Sequence, residues 1–135
     1  MRIEPSSEAQ AALALEGIMR FNAKALRDKD FLTRLDFHVP VEGHVAAAVN
    51  ARLIAGAFTF VEILWVDDAH RGKGLGSALL THVEEETKRR GGTLIYLDTY
   101  SFQAPKFYEK LGYRVFGTLD EIVPGHAKYF LSKTL

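Results

Sequence analysis

Residues 61–77 read Val61-Glu62-Ile63-Leu64-Trp65-Val66-Asp67-Asp68-Ala69-His70-Arg71-Gly72-Lys73-Gly74-Leu75-Gly76-Ser77. The first half is aliphatic and aromatic, which predicts a strand, here drawn from Ala57 to Val66. The last three residues open a helical pattern, and the turn between is rich in glycine. The leading N–H groups of a helix have no partner inside the helix. Glycines let the backbone approach an anion closely, and the helix dipole favours negative charge at that end. Arg71 and Lys73 put two cations where the helix itself disfavours them. A bound phosphate or pyrophosphate would compensate, which makes the turn a candidate site.

Downstream, Leu75, Leu79 and Val83 share one row of a helix predicted over Leu75–Arg90. Glu84–Lys88, Glu85–Arg89 and Glu86–Arg90 sit at the favoured i,i+4 spacing and read as a solvated face. Gly91-Gly92 ends the helix. Thr93–Asp98 is a short strand. Ala104–Leu111 is a short helix with Pro105 in its first turn and Gly112 past its end. Tyr113–Phe116 and Lys128–Leu131 are closing strands. Upstream, Leu35–Val41 and His44–Ile54 read as two strands joined at Glu42-Gly43, although Ala46-Ala47-Ala48 suits a helix equally. Ser7-x-x-Gln10 has the form of a capping box. Behind it Ala11, Leu15, Ile18, Met19 and Leu26 recur at helical spacing, with Asn22 on the same face. The predicted helix runs over 8–27, with a break near Gly17, and the charged run Arg27-Asp28-Lys29-Asp30 ends it. A strand, helix and strand in succession predict a parallel pair with a right-handed crossover. The remaining strands are expected to be antiparallel, giving an α/β domain with one mixed sheet.

The 135 residues fit one domain spanning 1–135. Lys plus Arg and Asp plus Glu are both 17, so the net charge is zero. That argues against nucleic acid or an anionic membrane as a main partner. The absence of cysteine excludes disulfides, cysteine–zinc sites and a cysteine nucleophile. No histidine shows metal-ligand spacing, so no metal is expected. No signal peptide is read in Met1–Gln10, and apolar runs fall short of the about 20 residues a membrane helix needs. A soluble, cytoplasmic protein is the expectation.

Three phosphate-binding patterns compete for the turn. The Walker pattern is absent. The dinucleotide pattern finds an acidic residue at Asp98, but its glycine spacing is wrong and five polar or small residues part the glycines from the strand. Arg71-x-x-Gly74-x-Gly76 resembles the Arg/Gln-x-x-Gly-x-Gly/Ala motif of the GNAT (Gcn5-related) N-acetyltransferases. Ala104-Pro105-Lys106-Phe107-Tyr108-Glu109-Lys110-Leu111-Gly112-Tyr113 is similar to the second cofactor motif of that family. The resemblance extends from about Thr59 to Gly117. It implies a central, mostly antiparallel sheet in which the fourth strand bulges and splays from its parallel neighbour. It implies that acetyl-CoA places its pyrophosphate on the backbone of Arg71, Gly72, Lys73, Gly74, Leu75, Gly76 and Ser77. Its pantetheine arm would meet Leu64, Trp65 and Val66, and Ala104 would contact the cofactor. Where family members often carry Asn, this chain has Ser101, which either contacts the cofactor with fewer groups than an amide or caps the helix. Homodimers are common in the family.

The implied reaction is direct attack of a primary amine on the thioester, which needs a base and a proton for the departing thiolate. Tyr108 falls on the family's tyrosine near the coenzyme A sulfur and is the expected acid. Phe107 and Leu111, on the adjacent helical row, are the expected core anchors. Glu62 is the candidate base; the equal alternative is an outward-facing strand residue. His70, His82 and His126 are the alternatives to Glu62: His70 is either a nucleotide contact or a solvated loop residue, His82 a helix-surface or edge residue, and His126, in the Pro124-Gly125-His126 turn, either reaches the acceptor site or is a turn residue only. A non-catalytic coenzyme A-binding regulatory module is the competing class, with a nicotinamide-binding protein behind it. The acceptor amine is not encoded in any motif.

Overall fold

The computed structural model describes residues 1–26 and 31–135, so the run Arg27–Asp30 lies outside the described residues. Helix α1 (Glu8–Leu26) is followed by β1 (Leu32–Arg34), β2 (Phe37–Val41), β3 (His44–Ile54) and β4 (Phe58–Val66). A 3-10 turn at Asp68–His70 leads to α2 (Leu75–Arg89), then β5 (Leu94–Tyr100), α3 (Pro105–Lys110), β6 (Arg114–Val123) and β7 (His126–Thr134). The sheet order is β1-β3-β4-β5-β7-β6, with β2 also pairing with β3. Among the described residues only β4 and β5 run parallel, and every other pair is antiparallel. The expected mixed α/β sheet is therefore present.

The core lies between α2 and one face of the sheet. Leu79, Leu80 and Val83 of α2 pack with Ala47, Val49, Ala51, Leu53, Val61, Ile95, Leu97 and Leu131. Ala46–Ala48 belong to β3, not to a helix. Pairing with β2 and β4 overrides the helical preference of alanine. The Glu42-Gly43 turn has φ of 48° and 81°, the left-handed pair that a two-residue hairpin requires. At the centre, Thr59 and Thr87 are both 0% exposed with hydroxyls 2.7 Å apart. Thr87 donates its only proton to the Val83 carbonyl at 2.7 Å, so Thr59 must donate to Thr87.

Three expectations need correction. The strand drawn over Leu35–Val41 starts only at Phe37, and an unforeseen short strand, Leu32–Arg34, precedes it, with Leu35 buried in the core between the two. The glutamate run on α2 is not wholly solvated. Glu84 points inward, accepting from the Tyr113 hydroxyl at 3.0 Å and the Lys133 ammonium at 2.8 Å. Burial and that carboxylate push the Tyr113 phenol up. Helix α1 has its capping box, with Gln10 N–H donating to Ser7 Oγ at 3.3 Å and Ser7 N–H to Gln10 Oε1 at 2.9 Å. It is unbroken at Gly17 and contributes no buried residue; Leu15, Ile18 and Leu26 stay exposed. Periodicity tells which residues share a helix face, not whether a surface receives that face.

Candidate active site

The register between β3 and β4 slips by one residue. Asn50 pairs with Ile63 and Ala51 with Val61, leaving Glu62 as a bulge. The parallel pairing of β4 with β5 runs from Phe58↔Leu94 to Val61↔Leu97 and stops there. Beyond the bulge the two strands part. The opening continues into a cleft of about 810 Å³.

One end of the cleft is the glycine turn. Gly72 and Gly74 have φ of 74° and 80°, conformations that other residues adopt only with strain. Gly74 caps α2 without a side-chain hydrogen bond, and the first turn of α2 carries no acidic residue. The N–H groups of Leu75, Gly76 and Ser77 therefore remain available at the dipole's positive end. Gly76 sits close to its neighbours: a Cβ there would lie 3.4 Å from both Phe107 Cζ and Val66 Cγ2, at the near edge of ordinary contact. Arg71 lies 2.9 Å from Asp68 Oδ1 and donates from Nε to the Val66 carbonyl at 3.4 Å.

The cleft is lined by Glu62, Leu64, Trp65, Val66, Arg71, Gly72, Gly74, Leu75, Gly76, Ser77, Ala104 and Tyr108, nearly the whole predicted set. Lys73 and Ser101 do not line it. The Lys73 ammonium folds back onto the Ala69 carbonyl at 3.1 Å. Ser101 Oγ accepts from Ala127 N–H at 3.1 Å, tying the β5–α3 loop to β7; α3 is capped at Ala104 with no side-chain bond. The helix cap that was one alternative for Ser101 is therefore not made. Trp65 needs a finer reading. Asp67 N–H donates to the Ala46 carbonyl at 2.9 Å, and antiparallel ladders alternate. Trp65 thus spends its backbone groups on β3, while Leu64 and Val66 turn theirs toward the opening.

Tyr108 is half-buried, its ring edge-on to Phe107 and Tyr113. Burial raises its hydroxyl above the ordinary tyrosine range, and the charge of Asp98 raises it further. Both Glu62 oxygens face cations: Oε2 accepts from Arg34 Nη1 at 2.6 Å, and Oε1 lies 2.9 Å from Arg52 Nε. The Arg52 N–H is buried and not aligned for a hydrogen bond, so this contact is an ion pair only. Arg34 also grips Asp36 with two bonds of 2.9 and 2.7 Å, which hold the Asp36 carboxyl below its usual range.

Sequence reasoning gave no site role to Asp98 or Gln103, which also line the cleft. Asp98 weighed only as a ribose-binding mimic, yet its carboxylate lines the cleft and pairs with Lys128 at 2.9 Å. Gln103 accepts from Thr99 Oγ1 at 3.0 Å and Tyr100 N–H at 2.7 Å while lining the same space. Its place two residues before the proline of α3 gave no signal. Among the described residues no cluster of three or more histidine or acidic side chains converges as a metal site. No described helix is long and apolar enough to cross a membrane.

The sequence profile of the acetyltransferase (GNAT) family matches residues 8–113. Blasticidin-S acetyltransferase of Streptomyces morookaense is 38% identical over 76 residues, which span 56% of this chain and 56% of that protein. The crystal structure of an acetyltransferase from Bacillus cereus superposes with a TM-score of 0.83 at 30% identity, covering 100% of this chain and 98% of that one. An aminoglycoside 6′-N-acetyltransferase complexed with coenzyme A shares the fold, with a TM-score of 0.68 at 18% identity over 99% of this chain and 97% of that one.

Proposed function

The chain belongs to the acetyltransferase (GNAT) family, and we propose that it moves the acetyl group of acetyl-CoA to a primary amine within a ternary complex. The observation that carries this reading is the cleft where β4 parts from β5, with the glycine turn and Tyr108 both on its walls. The pyrophosphate rests on the N–H groups of the turn from Gly72 to Ser77, held by the helix dipole. The pantetheine arm runs along the open edge of β4, where Leu64 and Val66 present backbone groups. The amine attacks the thioester carbon directly, since the chain has no cysteine to form an acyl-enzyme. Tyr108 gives its proton to the departing thiolate. Its raised hydroxyl stays protonated across neutral pH, so the acid form is always available.

Glu62 suits a fixed charge better than a base. A proton on its carboxylate would leave two guanidinium groups facing a neutral partner. In this reading the glutamate pins the bulge that opens the cleft. The relatives named for antibiotics direct attention to small cationic amines as acceptors. The test is thiol release from acetyl-CoA against a panel of polyamines, amino acids, aminoglycosides, blasticidin-type nucleosides and peptides. Release with one class identifies the acceptor. A melting shift with acetyl-CoA but no release from any amine would refute this reading in favour of a non-catalytic coenzyme A-binding module.

A further inference from the structure

We propose that Asp98 receives the proton that the acceptor ammonium must lose before it attacks, a role that rests on the acetyl transfer proposed above. Leu97 is the last β5 residue paired with β4, so Asp98 is the first beyond the parting of the strands, across from the bulged Glu62. Ile95, Leu97 and Thr99 are buried on the α2 side, which turns Asp98 to the other face. Asp98, Glu62 and Tyr108 line one cleft.

The two carboxylates are held differently. Glu62 meets two guanidinium groups. Asp98 meets one cation, Lys128, at 2.9 Å on Oδ1, and its second oxygen has no side-chain partner among the described residues. Lys128 lies 4.9 Å from the centroid of Tyr100 and 5.9 Å from that of Phe130, which holds the ammonium in place. Discharging Asp98 therefore gives up one ion pair where discharging Glu62 gives up two. Lys128 from β7 pairs with Asp98, and Tyr108 from α3 feels its charge; Glu62 from β4 and His70 and Arg71 from the turn line the same cleft. Tyr113 borders Tyr108 from the α3–β6 junction.

The position couples the two proton transfers. The ammonium passes one proton to Asp98, and the freed amine forms the C–N bond. As the C–S bond breaks, the thiolate takes the Tyr108 proton. The nitrogen's second proton returns to the phenolate, and Asp98 releases its own to solvent. The negative charge of Asp98 helps to keep Tyr108 protonated. Once Asp98 is neutral that restraint is gone, and the phenol becomes a better acid as the thiolate forms.

The test uses the full chain with two probe amines: methylamine, cationic at neutral pH, and hydroxylamine, already unprotonated there. Asp98→Asn should lower kcat/KM for methylamine by about 10²–10⁴ and spare hydroxylamine. The tyrosinate absorbance titration of Asp98→Asn, with Tyr108→Phe in each background to isolate that residue, should show the Tyr108 midpoint moved down. Asp98→Asn leaves Lys128 without its carboxylate, so the double variant with Lys128→Met guards against misfolding and should keep the same selective loss. Equal losses with both amines, or an unmoved Tyr108 midpoint, would overturn the proposal. The titration needs no turnover. A midpoint that moves in a protein releasing no thiol with either amine would overturn the catalytic role while leaving the juxtaposition standing.

Discussion

Gly74 allows the phosphate site to be tested apart from the fold. Its φ is 80°, and a Cβ built there meets nothing within 4 Å. Any substitution thus carries the left-handed backbone cost of about 1–2 kcal/mol and no clash. For a chain of this size that is a fall of roughly 3–10 °C in melting temperature. Gly74→Ala and Gly74→Glu should share this loss in the free protein. They part when ligand is added. Acetyl-CoA at a hundredfold excess over Kd should raise stability by about 2.7 kcal/mol in the wild type. The alanine variant should keep that shift. The glutamate variant sets a carboxylate beside the pyrophosphate, where like charges about 4 Å apart repel by about 4 kcal/mol at an effective dielectric of 20. That is close to a thousandfold in affinity, enough to erase the shift. The assay is a thermal melt of each protein across an acetyl-CoA titration. A glutamate variant that keeps the ligand shift of the alanine variant would show that the phosphates lie elsewhere.

Four further outcomes follow from the structure. Tyr108→Phe should lower kcat by about 10²–10⁴ while leaving the acetyl-CoA melting shift intact, and a near-normal kcat would remove Tyr108 from the reaction. Because its hydroxyl is raised above the ordinary range, no loss of kcat due to Tyr108 should appear on going from pH 6 to 9, approximately, in the wild-type profile. Glu62→Gln should lower the rate equally at all pH values and destabilise the fold by leaving Arg34 and Arg52 facing a neutral group; recovery at high pH would restore Glu62 as the base. Thr87→Val should cost about 1–3 kcal/mol in urea denaturation, because the Thr59 hydroxyl loses its acceptor in a site with no solvent; an unchanged midpoint would refute that pairing.

The parts of the site that are local in the chain were legible in the sequence. The turn from Arg71 to Ser77 and the Pro105 start of α3 depend on neighbouring residues, and both stand where the motifs put them. What the residues alone could not give depends on partners distant in sequence. Glu62 becomes a bulge only through its register with Asn50 and Ala51. Glu84 turns inward because Tyr113 and Lys133 arrive from 29 and 49 positions away. Ser101 is claimed by Ala127, and the apolar row of α1 finds no buried seat. Asp98 had a readable signal, the alternation with Ile95, Leu97 and Thr99, but only the parting of β4 from β5 gives that alternation a cleft to point into.

Gly76 touches both halves of this arrangement. Its backbone belongs to the anion-binding turn, and the space where its side chain would stand is bounded by Phe107 of α3 and Val66 of β4. That narrow space, which a methyl would just fill, acts as a spacing gauge. It fixes how closely the wall that grips the phosphates approaches the helix that carries Tyr108, the neighbour of Phe107 in the chain. A ligand's anchoring distance and the reach of its proton donor are thus measured off a single point, so a residue larger than alanine there would mis-set both lengths together without touching either chemical group.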